Sequence, residues 1–319
     1  MRRAYGRWSV GVVSLALAMM LGCAGVAQGQ RPTAVAPAAG DFEGIERARY
    51  DAVRRAPRSA DARLALGEWL AARGQLRSGA VLLEEARLFG ADPRVVAARV
   101  APVYRWLRDW ASLEALPSSP LSSAERAVVS ALAERGTEVA GADSVVLPFA
   151  PLEIGALGRV PLLLGQDTVW AEVDPEETGI VLPGLGRGAG LVQVLGDDRR
   201  GLSALISECA LGAITLRGVP ARVDTTLGAG RAKLGFDVFA SLAPTVDARA
   251  GTVVLRRSGR AVSTDQGYPL RLDFPGVRLA TRADELPVLM TSAAGRAALR
   301  GRPWSIDLRG GMIWVGVPR

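Results

Sequence analysis

The apolar positions of the chain keep one period over its first half and another over its second. Over residues 41–137 they recur three and four residues apart, the spacing of one face of an α-helix. Phe42, Ile45, Ala48 and Val53 make the first such face, with Asp41 as its cap. Ser59 or Asp61 caps a second helix that runs to Arg73 and stops at Gly74. A third is expected from about Leu76 to Phe89, with Gly90 at its end. Asp92-Pro93 starts a fourth, since a first-turn proline gives up an N–H that has no helical partner anyway. Ser122-x-x-Glu125 has the form of a capping box and predicts a last helix ending near Gly136.

Over residues 143–319 the apolar runs shorten and become β-branched. Val145-Val146-Leu147, Val160-Pro161-Leu162-Leu163-Leu164, Val169-Trp170-Ala171-Glu172-Val173, Ile214-Thr215-Leu216 and Ala221-Arg222-Val223 alternate with Gly, Pro and Asp turns. Such spacing predicts an all-β barrel or sandwich. The clearest stretch is LGFDVFASLAPTVDARAGTVVL, from Leu234 to Leu255. It holds a hydrophobic-Gly-x-Asp turn, an apolar segment over Val238 to Leu242, and a hairpin. The hairpin joins Thr245-Val246-Asp247 to Thr252-Val253-Val254-Leu255 through Arg249-Ala250-Gly251.

Residues 1–27 are of a third kind. Arg2, Arg3 and Arg7 precede an apolar run, Trp8 to Leu21, shorter than a membrane span needs, which is the pattern of an export signal. Residues 28–40 mix Pro, Ala, Gly and Gln without period and predict a tether.

Composition narrows the chemistry. The chain of 319 residues contains no histidine, which excludes Ser-His-Asp and Cys-His catalysis and His-ligated zinc. Cys23 lies in the leader and Cys209 stands alone in the body, flanked by apolar residues as a buried thiol would be. The formal charge is +7, spread along the chain, and Lys233 is the one lysine among 39 cationic residues. No basic block is interleaved with aromatics, so no nucleic-acid partner is expected. No cofactor is implied.

Three resemblances give these patterns names. Met20-Leu21-Gly22-Cys23 resembles a bacterial lipobox, which implies a lipid on Cys23 and a periplasmic or outer-membrane lipoprotein; ordinary cleavage after Ala27 is the alternative. Leu66-Gly67, Leu70, Gly74, Gly79, Leu83, Ala86 and Pro93 resemble a tetratricopeptide repeat, with Gly79 where that family prefers Ala. A poorer unit follows through Val100, Tyr104, Leu107 and Trp110, and a generic helical hairpin domain accounts equally for the spacing. Residues 144–257 resemble a retropepsin-like or pepsin-like bacterial aspartic protease lobe. That resemblance rests on Gly158 to Gly165, on Trp170 to Asp174 with Thr178 to Leu182, on Leu211 to Pro220, and most specifically on Leu234 to Leu255.

The resulting fold class is multidomain, helical then all-β. A helical domain over 41–137 precedes a barrel lobe over 143–257 and a degenerate half-lobe over 258–319. The half-lobe is inferred because Ser305 to Val315 matches Thr245 to Leu255 in one frame. The protease family implies two aspartates that share a proton around a water, each in an Asp-Thr/Ser-Gly loop. Aligned without a gap, that loop here is Asp174-Pro175-Glu176-Glu177-Thr178-Gly179. Asp174 is the candidate catalytic residue. Pro175 replaces the hydroxyl residue and Glu176 the glycine, and Glu176 and Glu177 raise the Asp174 pKa if they face it. The expected function is therefore a non-catalytic binding or assembly module with a peptide or protein partner. The alternatives are an active endopeptidase in which a homodimer supplies the second carboxylate, and a helical-repeat adaptor with a structural β domain. An acidic cation site at Asp174, Glu176 and Glu177 is a further reading, set against three solvated acids, and no metal is assigned.

Overall fold

A computed structural model describes residues 42–152, 156–185, 190–198, 201–228, 231–261, 263, 265–269, 299 and 301–316. The leader, the tether, Asp41 and Cys23 lie outside them. Among the described residues no helix is long and apolar enough to cross a membrane.

Six helices open the described chain: α1 (Phe42–Arg55), α2 (Ala60–Ala72), α3 (Leu76–Leu88), α4 (Pro93–Leu107), α5 (Trp110–Glu114) and α6 (Ser123–Arg135). Their starts follow side-chain chemistry. Ser59 accepts from the Ala62 N–H and Asp92 from the Arg94 N–H, each satisfying a donor that the first turn leaves open. At α6 both halves of the capping box form: Ser122 accepts from the Glu125 N–H, and the Glu125 carboxylate accepts from the Ser122 N–H. Ile45 and Val53 of α1 pack on Leu66, Trp69 and Leu70 of α2. The stretch expected to hold a second repeat is one long helix followed by the five-residue α5.

The β half forms two sheets. The first contains β1 (Glu138–Gly141), β3 (Ala150–Pro151), β4 (Gly158–Leu164), β5 (Asp167–Asp174), β6 (Ile180–Leu182), β7 (Val192–Asp198), β8 (Gly201–Leu211), β9 (Ile214–Val223) and β10 (Ala232–Gly235). The second contains β2 (Ser144–Pro148), β11 (Thr245–Asp247), β12 (Thr252–Arg256), β13 (Gln266–Pro269), β14 (Trp304–Asp307) and β15 (Met312–Val315). In the first sheet β9, β6, β10, β5, β4 and β8 follow one another, and β8 pairs back onto β9, closing a barrel. Closure removes the open edges that six free strands would present.

Alternation along β5 sets the barrel's two faces. Val169, Ala171 and Val173 are buried inside; of the alternate residues Trp170 is exposed, Asp174 half-buried, and Glu172 buried beneath Arg159 and Arg231. Ile214-Thr215-Leu216 and Ala221-Arg222-Val223, which read as two strands, are the ends of the single β9; Gly218 and Pro220 do not interrupt it. The apolar segment after Gly235 is a short helix, α7 (Phe236–Ala240), and all five of its residues are buried. α6 packs on β7, β8 and β9, so the helical half lies directly against the barrel. The second sheet runs β13-β15-β14-β11-β12-β2 and draws strands from both sides of residue 258.

Candidate functional site

The site is built where β5 ends. β10 runs parallel to β5 and places Gly235 opposite Asp174 and Lys233 opposite Glu172. β6 returns antiparallel to β10, so residues 175–179 form a tight loop over the start of α7. Backbone bonds fix that loop: Gly235 N–H donates to the Gly179 carbonyl at 2.7 Å and Phe236 N–H to the Glu177 carbonyl at 3.2 Å. The approach needs glycine at two positions. A Cβ on Gly235 would lie 2.6 Å from the Thr178 carbonyl carbon, and Gly179 has a φ of +66° with a would-be Cβ 2.3 Å from the Pro220 oxygen.

Asp174 is held at both carboxylate oxygens. Oδ1 accepts from the Glu176 N–H at 3.0 Å, an Asx turn, and Oδ2 accepts from Lys233 Nζ at 2.9 Å. The same ammonium lies 3.5 Å from Glu177 Oε1. Arg222 grips Glu177 with one nitrogen at 3.0 and 3.1 Å from its two oxygens. Glu177 therefore reaches Asp174 through a shared cation rather than as a bare like charge. Burial acts to lower the Lys233 pKa, but the bond to Asp174 and the charges of Asp174 and Glu177 outweigh it, and the ammonium is held above its ordinary range. Asp174 and Glu177 turn to an ammonium and a guanidinium, which stand where a bound cation would. Among the described residues no group of three acids, cysteines or histidines could hold a metal ion.

Behind the loop lies a second charged group. Asp237, buried in α7, accepts the Gly179 N–H at 2.9 Å. Burial pushes its carboxyl upward, opposed by the Arg108 guanidinium and by the Gly179 and Val238 N–H groups. Arg108 follows α4 in the left-handed region, with φ 54°, and donates to Ser241 Oγ at 2.9 Å. Burial lowers its pKa, with Asp237 and Cys209 opposing. Cys209 is a buried thiol pushed up to about 12 by that burial, so it is an inert core group.

A cavity of about 120 Å³ separates the loop from the helices. Glu177, Thr178 and Asp237 form its barrel side, and Arg105, Trp110 and Glu125 its helical side. Arg105 pairs with Glu125 at 2.9 Å, whereas the buried Trp110 indole N–H has no acceptor among the described residues.

No family model matches the chain, and no curated protein matches it. Among solved structures, a retropepsin-like aspartic protease from Rickettsia conorii is similar over 38% of this chain and 92% of that one, at 15% identity and a TM-score of 0.26.

The loop residues proposed from sequence, Asp174 to Gly179, do lie together. The charged groups that complete the site are Lys233, Arg222, Asp237 and Arg108, and none was nominated from sequence. Two had a visible signal: the single lysine of an arginine-rich chain stands against Asp174, and Asp237 is the aspartate of the hydrophobic-Gly-x-Asp turn. Arg222 and Arg108 carried none, because nothing in their local pattern distinguishes them from the other arginines.

Proposed function

We propose that this chain is an exported aspartic-protease-like protein whose barrel no longer cleaves peptides and serves as a binding or assembly module for a peptide or protein partner. The reading joins the resemblance of Leu234 to Leu255 to the site geometry. One observation carries it: Lys233 Nζ sits 2.9 Å from Asp174 Oδ2. Aspartic protease chemistry needs two carboxylates that share one proton, so that one is base and the other acid. Here the carboxylate faces an ammonium, where the dyad would need a second carboxyl group to share its proton. Pro175 and Glu176, in place of the hydroxyl residue and the glycine, act in the same direction. On this reading Cys23 carries the lipid that holds the protein at a membrane, on the periplasmic side.

The test is cleavage of a peptide library and of unfolded protein by the purified chain from about pH 3 to about pH 7, where a carboxylate dyad would work. The expected result is no cleavage by the wild type. A pepstatin-sensitive activity that disappears in Asp174→Asn would overturn the proposal in favour of an endopeptidase completed by a second chain.

A further inference from the structure

A cleft of about 650 Å³ lies between the α2–α3 turn, the end of α4 and the turns of the second sheet. Apart from Arg108 and Ser241, which lie behind the Asp174 loop, it shares no lining residue with that site. Five arginines line it: Arg77, Arg108, Arg257, Arg260 and Arg309. No carboxylate does so among the described residues. Arg257 is paired with Asp143, which is not part of the cleft, and Arg108 turns to Ser241. Arg77, Arg260 and Arg309 have no acidic partner among the described residues.

This distribution differs from that of the barrel. There Arg159 and Arg231 flank Glu172, and Arg222 and Lys233 flank Glu177, so each guanidinium is answered by an acid. In the cleft Arg77, Arg260 and Arg309 bring like charges from three sequence-distant segments onto one space, and no acid among the described residues pairs with them to offset their repulsion. The first turn of α3 adds to the same field. Gln75 makes no side-chain cap there, so the leading N–H groups of this 13-residue helix lack side-chain acceptors at the positive end of its dipole. Trp106 supplies an apolar wall. The volume is that of a small-molecule site.

We propose that this cleft binds a phosphoryl anion, a phosphate ester or diphosphate borne by a small molecule or by a lipid headgroup. Guanidinium forks match pairs of phosphoryl oxygens, and several forks around one site favour an anion with several oxygens over a single carboxylate. Backbone N–H groups at a helix start suit the same chemistry.

The experiment is calorimetric titration of the full chain with pyrophosphate at low ionic strength, beside co-sedimentation with vesicles of phosphatidylglycerol and of phosphatidylcholine. Two variants are compared on identical samples. Arg77→Glu with Arg309→Glu replaces two of the five cleft arginines by acids; Arg54→Glu with Arg55→Glu makes the same change in net charge on the exposed end of α1. The cleft pair is expected to weaken pyrophosphate binding by about tenfold or more, and the α1 pair to leave it nearly unchanged. Dependence on the cleft arginines for the anionic vesicles alone assigns the site to a headgroup, and for pyrophosphate alone to a soluble ligand. No binding of either probe, or equal loss in both variants, overturns the proposal.

Discussion

Thr245 and Ser305 stand directly opposite each other where β11 meets β14, and the Ser305 hydroxyl donates to Thr245 Oγ1 at 3.0 Å. They are 60 residues apart, the same offset at which the sequence around Thr245 repeats around Ser305. Equivalent residues of two repeats face one another only where a local two-fold axis passes between them. The rest of the sheet obeys the same axis. Pro148 of β2 pairs with Thr252 of β12, and Pro269 of β13 pairs with Met312 of β15. Asp247 and Asp307 repeat as well: each accepts backbone N–H groups of its own turn, Asp247 from Arg249 and Ala250 and Asp307 from Gly310. They hold turns, as structural aspartates do.

The C-terminal strands therefore cover an edge that β11 would otherwise expose. Removing residues 299–319 takes away β14 and β15 and leaves β11 with unpaired N–H and C=O groups. The truncated chain is expected to self-associate or to lose its cooperative unfolding. Light scattering after size-exclusion chromatography, with urea unfolding, checks this. A truncated chain as well behaved as the intact one would show that β14 is not the cover.

The Lys233–Asp174 pair has a pH signature. The native pKa of Lys233 is raised, so its contribution to stability is fully present below the unfolded value of about 10.4 and is lost as pH rises through the native value. Lys233→Met should cost about 1 kcal/mol near neutrality, the size of a partly screened pair. It should also remove that component of the alkaline decline. Urea unfolding of both proteins from about pH 8 to about pH 12 reads the difference. Parallel curves would place the stabilising partner of Asp174 elsewhere.

Much of this architecture was legible because it is local. Ser59, Asp92 and the Ser122–Glu125 pair announced helix starts, and the short run Val169 to Val173 announced a strand. What was not legible depends on distant pairing. β7 and β8 lack a turn signal strong enough to separate them from the loops beside them. The helix α7 is an apolar run too short to show a period. That β2 leaves the barrel for β12 is set by long-range register, which no window of sequence contains. The site divides in the same way. The loop from Asp174 to Gly179 is contiguous and could be read, whereas Arg108 reaches Ser241 across 133 residues of chain.

Asp237 separates an acceptor from a charge. Its native pKa is raised, so its contribution is greatest below the unfolded value of about 3.9 and falls as pH rises toward the native value. Asp237→Asn keeps an oxygen for the Gly179 N–H and cannot ionise. Wild type minus variant stability should therefore decrease from about pH 4 upward. Asp237→Ala leaves that N–H without an acceptor and Arg108 without a counter-charge in the interior; it should cost about 3 kcal/mol more than Asp237→Asn, with the same decline as pH rises. Denaturant midpoints of the three proteins across the acid range decide it. Equal losses for Asn and Ala would mean that the carboxylate charge itself, not the acceptor, holds the loop.

The helical half offers the sharpest steric test. Gly67 faces Leu83 and the Gly79 carbonyl, while Gly79 faces Ala71, so α2 and α3 meet antiparallel at glycine on both sides. A Cβ on Gly79 would lie 2.9 Å from the Ala71 nitrogen and 2.9 Å from the Gly67 oxygen. Both are backbone atoms of a helix and cannot rotate aside. Alanine is the better helix former by about 1 kcal/mol, so propensity alone predicts that Gly79→Ala stabilises. Overpacking opposes it by about 1–3 kcal/mol, because the two helices must separate. The steric cost should win, with a net loss of about 1 kcal/mol and a Tm lower by a few degrees. Ser78→Ala, at the exposed neighbouring position, has the same direction of propensity without the clash and should raise Tm slightly. A Tm for Gly79→Ala equal to or above that of Ser78→Ala would mean that the α2–α3 contact yields freely, as it would where alanine is at home.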